Sequence, residues 1–280
     1  MIMNKKIYKS PSQMILIVFL FTLSFMMLLP FTWIISTSLR LPVDSFRLPP
    51  SFLPTSFHYQ NYITVFTTFP FAQVVWNSVR IALIVVFANI VFSTMAGYAF
   101  SRIPFKGRDV IFLLILAGMM IPAQARLVPT FIVMSNLGLV GTHWPLILPV
   151  SVSPLNIFFV RQFMKTIPNS YEEAAFMDGA SRLKIWLRIF VPMSKNVIVM
   201  VSLLSFLASW NDFINPLIFI SREHMMTLPL GLRALNGANQ QGSASVVLAG
   251  VALSLVIPVL FYVFGQKHIV KGVAMSGLKS

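Results

Sequence analysis

The sequence predicts an all-α integral membrane protein with about six transmembrane helices. Three observations support this prediction: a composition that is 57% hydrophobic and 10% charged, a mean hydropathy of +0.81, and several uncharged stretches long enough to cross a bilayer. A soluble domain usually carries about 25% charged residues, because its surface faces water. Since this chain of 280 residues has too few charges for such a surface, most of its surface must face lipid or other apolar protein.

Six apolar segments are long enough for the roughly 20 residues that a helix needs to span the hydrocarbon core. The first, 14–36, is longer than the apolar region of a signal peptide, and no small-residue cleavage site follows it. We therefore expect it to remain as an uncleaved helix. The other five helices are predicted at 81–100, 110–125, 144–163, 196–220 and 246–265.

Two longer connections separate these helices. Residues 37–76 are rich in proline and aromatic residues and contain the helix-breaking prolines of 49–54, so an extramembrane loop is predicted there. Residues 221–245, between the fifth and sixth helices, are polar and rich in glycine.

The lysines and arginines are distributed unevenly between the two sets of loops, and the net charge is +14. Fifteen of them lie in the N-terminal segment, 101–109, 161–195 and the C-terminal segment, against five in the opposite loops. Basic residues concentrate in cytoplasmic loops, so both termini are predicted to be cytoplasmic. This gives a cytoplasmic segment at 1–13, a transmembrane domain at 14–266 and a cytoplasmic tail at 267–280.

Several classes of function are disfavoured. The basic residues lie in short patches between apolar runs rather than on a soluble module, which argues against nucleic-acid binding. The chain has no cysteine and four scattered histidines, so no disulfide and no metal site are predicted. No catalytic residue is predicted, because the seven acids form no cluster outside 167–192. A near match to a phosphate-binding loop at 272–280 has its lysine one position late, so no nucleotide site is predicted in this chain.

The segment 167–192 reads IPNSYEEAAFMDGASRLKIWLRIFVP and predicts two short helices with a bend between them. Ser170 and Glu173 have the spacing of a capping box, which marks the start of the first helix. Gly179 is a typical residue at a helix C-terminus. Ser181 is placed to cap a second helix that runs to about residue 189.

The first of these helices is expected to present a shallow side to another protein. Tyr171, Ala174, Ala175 and Asp178 follow the spacing of one helix face. The second helix has a basic side suited to lipid headgroups or to an acidic partner. Taken alone, the pattern favours a plain amphipathic linker lying on the membrane.

A family resemblance changes that interpretation. Glu173-Ala174-Ala175, three residues, Gly179, nine residues, Ile189, one residue and Val191-Pro192 resembles the EAA loop of binding-protein-dependent ABC importer permeases. The family usually has leucine where Val191 stands. The rest of the chain is similar to the carbohydrate-type branch, related to the second maltose-transporter membrane subunit. The matching stretches are Asn61-Tyr62, Asn77-Ser78, Gly97-Tyr98-Ala99, 105–108, 210–213, 216–217, 227–229 and 266–272.

The resemblance implies a type I ABC importer permease fold, in which the EAA loop forms coupling helices between helices 4 and 5. It implies that these coupling helices sit in a cleft of an ATPase subunit and that Gly179 forms the bend. The contact residues implied are Glu173, Ala174, Ala175, Asp178 and Gly179. The loop at 221–245 would face a solute-binding protein, and the C-terminal tail would lie against the ATPases.

The implied function is import of a carbohydrate such as an oligosaccharide across a prokaryotic cell membrane. The implied partners are a second permease subunit, a dimer of ATPase subunits that binds the ATP, an external solute-binding protein, the sugar and the lipid bilayer. No cofactor is expected on this chain.

Asn211 and Asp212 are candidates for the translocation path. They follow Trp210 inside the predicted fifth helix, and an ionisable group within a span is costly and usually faces a cavity or a partner. The alternative is that Asp212 lies near the outer end of the helix and is simply solvated.

Three other functions remain open from the sequence. The chain could be an ABC permease for another solute such as an amino acid or peptide, although those branches do not share the Trp-Asn-Asp-Phe sequence at 210–213. A secondary transporter usually has repeated halves, and none is found. A membrane-embedded enzyme is the third alternative.

Overall fold

A computed structural model describes residues 11–45, 53, 56–238 and 243–276. Within these ranges the chain forms helices and irregular connections, with no β-strand. It divides into two compact units: Met1–Phe69 with Leu235–Leu253, and Pro70–Ala234 with Ser254–Ser280.

The α-helices are numbered in chain order. They are α1 Pro11–Ser38, α2 Gln60–Thr68, α3 Phe71–Arg102, α4 Arg108–Ala117, α5 Ala123–Asn136, α6 Pro154–Lys165, α7 Ser170–Met177, α8 Arg182–Ile185, α9 Val191–Met193, α10 Lys195–Trp210, α11 Ile214–Phe219, α12 Leu228–Ala238 and α13 Ala244–Ser276.

The described residues contain four to six candidate spans, against the predicted six. Among the described residues, four helical stretches are long and apolar enough to cross a membrane: Pro11–Ser38, Phe71–Arg102, Trp144–Lys165 and Ala244–Lys267. Two bent pairs raise the number to six if each pair is one span. These are Arg108–Met120 with Ala123–Asn136, bent by 102°, and Arg182–Met193 with Lys195–Trp210, bent by 80°.

The predicted third helix, 110–125, is interrupted near its end. Ile121 is extended because the residue before a proline is driven out of the helical region, and Pro122 then precedes the new helix α5. The predicted fourth helix, 144–163, begins as two 3₁₀ turns at Trp144–Leu146 and Leu148–Val150, each with a proline, and becomes α-helical only at Pro154.

The prediction of one continuous helix over 196–220 is wrong. Helix α10 ends at Trp210, and α11 begins at Ile214. Asp212 therefore lies in a break between two helices rather than inside one. Its carboxylate Oδ1 accepts the backbone N–H of Asn215 at 3.2 Å, which is the bond that a residue preceding a helix typically makes.

The loops and the tail contain more helix than predicted. Helix α2 and the first turn of α3 fall inside the predicted loop 37–76, and α12 falls inside the predicted loop 221–245. The last helix, predicted to end at residue 265, continues to Ser276 and so includes most of the predicted tail.

In the first unit, α2 is held to the end of α1 by side chains. The Asn61 amide donates to the backbone oxygens of Ser38 at 2.8 Å and Arg40 at 2.7 Å. The hydroxyl groups of Tyr62 and Ser38 lie 2.7 Å apart. These bonds satisfy backbone carbonyls that the end of a helix leaves without intrahelical partners.

In the second unit, α3 packs along α6 and α10. The helices approach closely at Gly97, where an added Cβ would lie 2.6 Å from Cγ1 of Val160. Small residues at such crossings allow helix backbones to come close together in a membrane. Around this crossing lies a buried apolar core that includes Tyr98, Met164 and Phe190.

We expect Gly97→Ala to destabilise the protein by about 1–3 kcal/mol, because the added methyl group overpacks the crossing. Gly118→Ala is the matched control, since nothing lies within 4 Å of a Cβ at that position. The measurement is thermal unfolding of the detergent-purified chain. Equal midpoints for the two variants would show that the crossing has room to adjust.

Candidate functional site

Helix α7 begins at Ser170, one residue before the predicted start. The predicted capping box is wrong, because Asn169 occupies the N-cap position and its side chain makes no capping bond. The backbone N–H of Glu173 bonds to the backbone oxygen of Asn169 at 3.0 Å. The Asn169 side-chain oxygen accepts a hydrogen bond from Arg102 instead.

The predicted bend at Gly179 is confirmed. Gly179 has a φ of +71°, in the left-handed region that glycine adopts without a steric penalty. Its N–H bonds to the Phe176 oxygen at 3.0 Å, and the N–H of Ala180 bonds to the Ala175 oxygen at 2.9 Å. These are the two bonds of a Schellman motif, which closes a helix C-terminus.

The second half of the segment starts as predicted. The Ser181 hydroxyl accepts from the backbone N–H of Lys184 at 3.4 Å and caps α8. The predicted regular helix to residue 189 differs from the structure, which has a π-helical turn at Trp186–Phe190. A single wide turn of this kind shifts the helix face, and here it directs Phe190 into the core, where its side chain is fully buried.

The five proposed coupling residues do not share one surface. Glu173, Ala174, Asp178 and Gly179 are exposed. Ala175 is 8% exposed and packs in the core of the chain itself. The prediction that Ala175 lies on the same exposed side as Ala174 is therefore wrong, because the helix turns this position toward α3 and α6.

Tyr98 and Arg102, which were not selected as site residues from the sequence, contact the 167–192 segment, and a third residue that was not selected, Glu172, lies inside it. Tyr98 donates its hydroxyl to Oε1 of Glu172 at 3.0 Å, and Arg102 donates to Asn169. Glu172 is 9% exposed, whereas Glu173, the acid of the EAA pattern, faces outward. The only sequence signal for Tyr98 was its place in the stretch 97–99, which resembles the family. Helical spacing cannot show that Tyr98 contacts Glu172, because the two residues are 74 positions apart.

A cavity of about 410 Å³, lined by both apolar and polar residues, opens between α3, α6 and α10. Asp212 lines it and Asn211 does not, so the structure separates the two candidates for the translocation path. Asn211 is exposed and its amide donates to the Leu207 oxygen at 2.9 Å. The polar side chains that line the cavity are Asn89, Arg126, Ser153, Asn156, Ser205, Ser209, Asp212 and Asn215.

Three of these side chains form a buried network that joins the helices. The Asn156 amide donates to Oδ1 of Asn89 at 3.0 Å and to the Ser205 hydroxyl at 2.9 Å. The Asn89 amide donates to the Val150 backbone oxygen at 2.8 Å, next to the 3₁₀ turns. Hydrogen bonds between side chains hold helices together where water is excluded.

The Asp212 carboxylate accepts hydrogen bonds from the Asn215 side chain, at 2.8 Å, and from the Asn215 backbone N–H, at 3.2 Å. These hydrogen bonds hold the Asp212 carboxylate in one orientation at the cavity wall.

The other end of α3 is anchored by a second group of polar contacts. The Asn77 amide donates to the backbone oxygens of His224 at 2.9 Å and Met226 at 3.0 Å. The Ser78 hydroxyl accepts the backbone N–H of Leu228 at 2.7 Å. These bonds fix the start of α12 on α3.

His143 adds to this anchor as a neutral imidazole. Its Nε2 lies 2.8 Å from the Met225 oxygen, so Nε2 must be the donor, which leaves Nδ1 to accept from Arg80 at 2.7 Å. Burial lowers the pKa of His143, and the adjacent Arg80 adds to the lowering, while the Met225 carbonyl opposes it.

This shift predicts a pH dependence of stability. The pKa of His143 in the folded chain lies below the ordinary value of 6.5, so the unfolded chain binds more protons in mild acid. The contribution of His143 to the free energy of unfolding is fully present above pH 6.5. It is lost as the pH falls below 6.5 and through the lower pKa of the folded chain. We expect the thermal midpoint to fall between pH 7.5 and 5.5, and to fall less in His143→Gln. Parallel curves for the two proteins would contradict this account of the imidazole.

Among the residues that the structure describes, no group of three or more histidines, aspartates and glutamates could hold a metal ion.

Comparison with known proteins identifies the family. Residues 89–274 match the family described as binding-protein-dependent transport system inner membrane component. The chain belongs to this family. Its members are permease subunits of ABC importers, which are transport channels rather than enzymes, and they work with an ATPase, a substrate-binding protein and a partner permease. The predicted family is confirmed, and so is the prediction that the chain is not an enzyme.

Several relatives match most of the chain. An arabinooligosaccharide transport system permease, AraQ of Halalkalibacterium halodurans, is 34% identical over 232 residues, which are 81% of this chain and 82% of the relative. A trehalose/maltose transport system permease, MalG of Thermococcus litoralis, is 30% identical over 276 residues, which are 95% of this chain and 97% of the relative. A probable ABC transporter permease, YurM of Bacillus subtilis, is 32% identical over 264 residues, which are 94% and 87% of the two chains.

A solved structure confirms the fold class. A chain of a bacterial ABC transporter involved in import of the acidic polysaccharide alginate matches with a TM-score of 0.80. The match covers 93% of this chain and 98% of that chain at 24% identity. The type I ABC importer permease fold is thus shown for this protein.

Proposed function

We propose that this permease subunit imports a carbohydrate such as an oligosaccharide, delivered by a solute-binding protein and driven by a separate dimer of ATPase subunits. The observation that best supports coupling to the ATPase is the exposed outer side of α7, which ends at the bend at Gly179. Two acids, Glu173 and Asp178, stand on that side. A short rigid helix with exposed acids suits a cleft that has basic groups at its rim.

The five proposed coupling residues would contribute to contact with the ATPase in two ways. Glu173, Ala174, Asp178 and Gly179 would meet the ATPase directly, because they are exposed. Ala175 acts from the inner side, where its small side chain lets α7 pack closely on the core of the permease. Motion of the ATPase surface would therefore reach the membrane helices through a tightly packed contact.

The proposed arrangement in the membrane follows from the charges. Fifteen of the 21 basic residues lie on the side that contains the 167–192 segment, and that side would be cytoplasmic. The assignment gives a cytoplasmic segment at 1–13, a permease domain at 14–266 and a tail at 267–280, with both termini inside a prokaryotic cell. The loop at 221–245 would then face the solute-binding protein.

The substrate class is supported by two observations. Two of the relatives named above are permeases for arabinooligosaccharides and for trehalose or maltose. The cavity of this chain is lined by amide, hydroxyl and carboxylate groups, which can hydrogen-bond to sugar hydroxyls. An amino acid or peptide is the alternative cargo. Since the chain is an importer permease, a secondary transporter and a membrane-embedded enzyme are no longer candidates.

The experiment is uptake by the complete transporter in proteoliposomes, with the solute-binding protein and ATP on their proper sides. Labelled arabinooligosaccharide, maltose, a mixture of amino acids and a peptide would be offered in turn. We expect ATP-dependent uptake of an oligosaccharide only. Uptake of the amino acids or the peptide instead would overturn the carbohydrate assignment.

Glu173→Lys should uncouple transport from ATP hydrolysis, because it reverses a charge on the outer side of α7. Gly179→Pro should do the same, since proline cannot adopt the positive φ of the bend. We expect uptake to fall at least about tenfold, corresponding to about 1.4 kcal/mol of lost coupling. Lys106→Glu is the control, a charge reversal at an exposed turn outside the segment. Normal uptake in both variants would exclude this part of the proposal.

Asp212→Asn should weaken transport at the cavity wall while leaving assembly intact. A hydrogen bond to a charged group contributes about 1.5–3 kcal/mol, so the apparent KM for the sugar should rise about tenfold or more. Asp44→Asn, in the 3₁₀ turn of the other unit, is the matched control. An unchanged KM would remove Asp212 from the translocation path.

A further inference from the structure

Helix α3 has no chain connection to the 167–192 segment, whereas α6 leads directly into it and α10 follows it. Any displacement of the segment reaches α6 and α10 through the backbone. It reaches α3 only through side-chain contacts. Two residues at the end of α3, Tyr98 and Arg102, provide the polar contacts.

Arg102 is the last residue of α3 and joins two elements at once. Its guanidinium donates to the backbone oxygens of Met164 and Ile167, at the C-terminal end of α6. It also donates to the side chain of Asn169, the N-cap residue of α7. A cation is favourable at a helix C-terminus, where carbonyl groups lack intrahelical partners. The planar fork of arginine lets one side chain satisfy several acceptors.

Tyr98 lies one turn earlier on the same face of α3. Its hydroxyl donates to Oε1 of Glu172 in α7 at 3.0 Å, and both side chains are buried. Phe190, in the π-helical turn, completes the contact. Its ring centroid is 4.9 Å from that of Tyr98 and 4.9 Å from the guanidinium carbon of Arg102. The two residues of α3 thus touch both halves of the segment.

The far parts of α3 reach the other functional regions of the same unit. Asn89, in the middle of the helix, lines the cavity and bonds to Asn156. Asn77 and Ser78, near its start, hold the start of α12. Helix α3 is a single helix of 32 residues with no proline inside it, so a displacement of one end would move the other parts together.

We propose that Tyr98 and Arg102 form a clamp that makes α3 move with the 167–192 segment, so that ATP-driven motion of the segment reaches the cavity and the start of α12. Both are positioning residues that act through α3 and contact no substrate. The inference rests on the proposed function, because it requires the segment to be the place where the ATPase acts.

The test is the ratio of sugar transported to ATP hydrolysed by the complete transporter in proteoliposomes. Tyr98→Phe removes one hydroxyl and keeps the ring against Phe190. Arg102→Lys keeps the charge and loses the fork. We expect the ratio to fall roughly 2- to 30-fold in each, the range that mutations within coupling networks produce. ATP hydrolysis and the amount of ATPase that co-purifies should stay near wild type.

Tyr62→Phe is the matched control. It also removes a tyrosine hydroxyl that lies 2.7 Å from a protein partner, Ser38, but it belongs to the first unit. The transport ratio of this variant should equal that of wild type. An equal fall in Tyr62→Phe and Tyr98→Phe would mean a general loss of packing and would overturn the clamp.

A double-mutant cycle with Glu172→Gln isolates the hydrogen bond itself. If the bond transmits the motion, Tyr98→Phe with Glu172→Gln should lower the ratio no further than Tyr98→Phe alone. Independent, multiplicative losses would overturn the proposal for this pair.

The variant Glu173→Lys distinguishes a failure of the clamp from a failure of the proposed function. If it uncouples the transporter while Tyr98→Phe and Arg102→Lys do not, the clamp is wrong and the proposed function stands. If none of the three changes the ratio, the coupling role of the segment fails as well.

Discussion

The close approach of α3 and α6 at Gly97 is the contact on which the rest of the second unit depends. An added Cβ there would meet Val160 at 2.6 Å. Because the backbones are so close, Tyr98 and Arg102, which follow on α3, can reach the end of α6 and the start of α7. Two turns before Gly97, Asn89 meets Asn156 of α6 by the same geometry. One small residue therefore sets both the cavity network and the contacts of the 167–192 segment.

Two stretches of irregular backbone in the second unit lie at the cavity. The 3₁₀ turns that precede Pro154 and the break between α10 and α11 both contribute to its lining. In a bilayer, backbone groups outside regular helices need a protein partner or a water-filled cavity. Here the Val150 oxygen accepts from Asn89, and Asp212 accepts the N–H of Asn215. The polar side chains at the cavity thus provide the hydrogen-bond partners that the helix breaks require.

The sequence was sufficient for the parts of the fold that depend on local pattern. Uncharged length located the spans, Gly179 and Ser181 located the bend, and the EAA pattern identified the family. It was insufficient at 211–213, since Asn211 and Asp212 are tolerated in a helix and only the surrounding cavity favours a break. The inward direction of Ala175 was missed for a related reason, because helical spacing groups residues by face and leaves open which face meets the core.

The orientation of α7 has a consequence for how such transporters diverge. Along this one helix, positions that face outward alternate with Glu172 and Ala175, which belong to the interior of the permease. Under the proposed coupling role of α7, substitutions at the outward positions would adapt the subunit to a different ATPase while the interior positions keep the fold unchanged. A permease of this design would then change its ATPase partner through a few surface residues, with the interior of the membrane domain conserved.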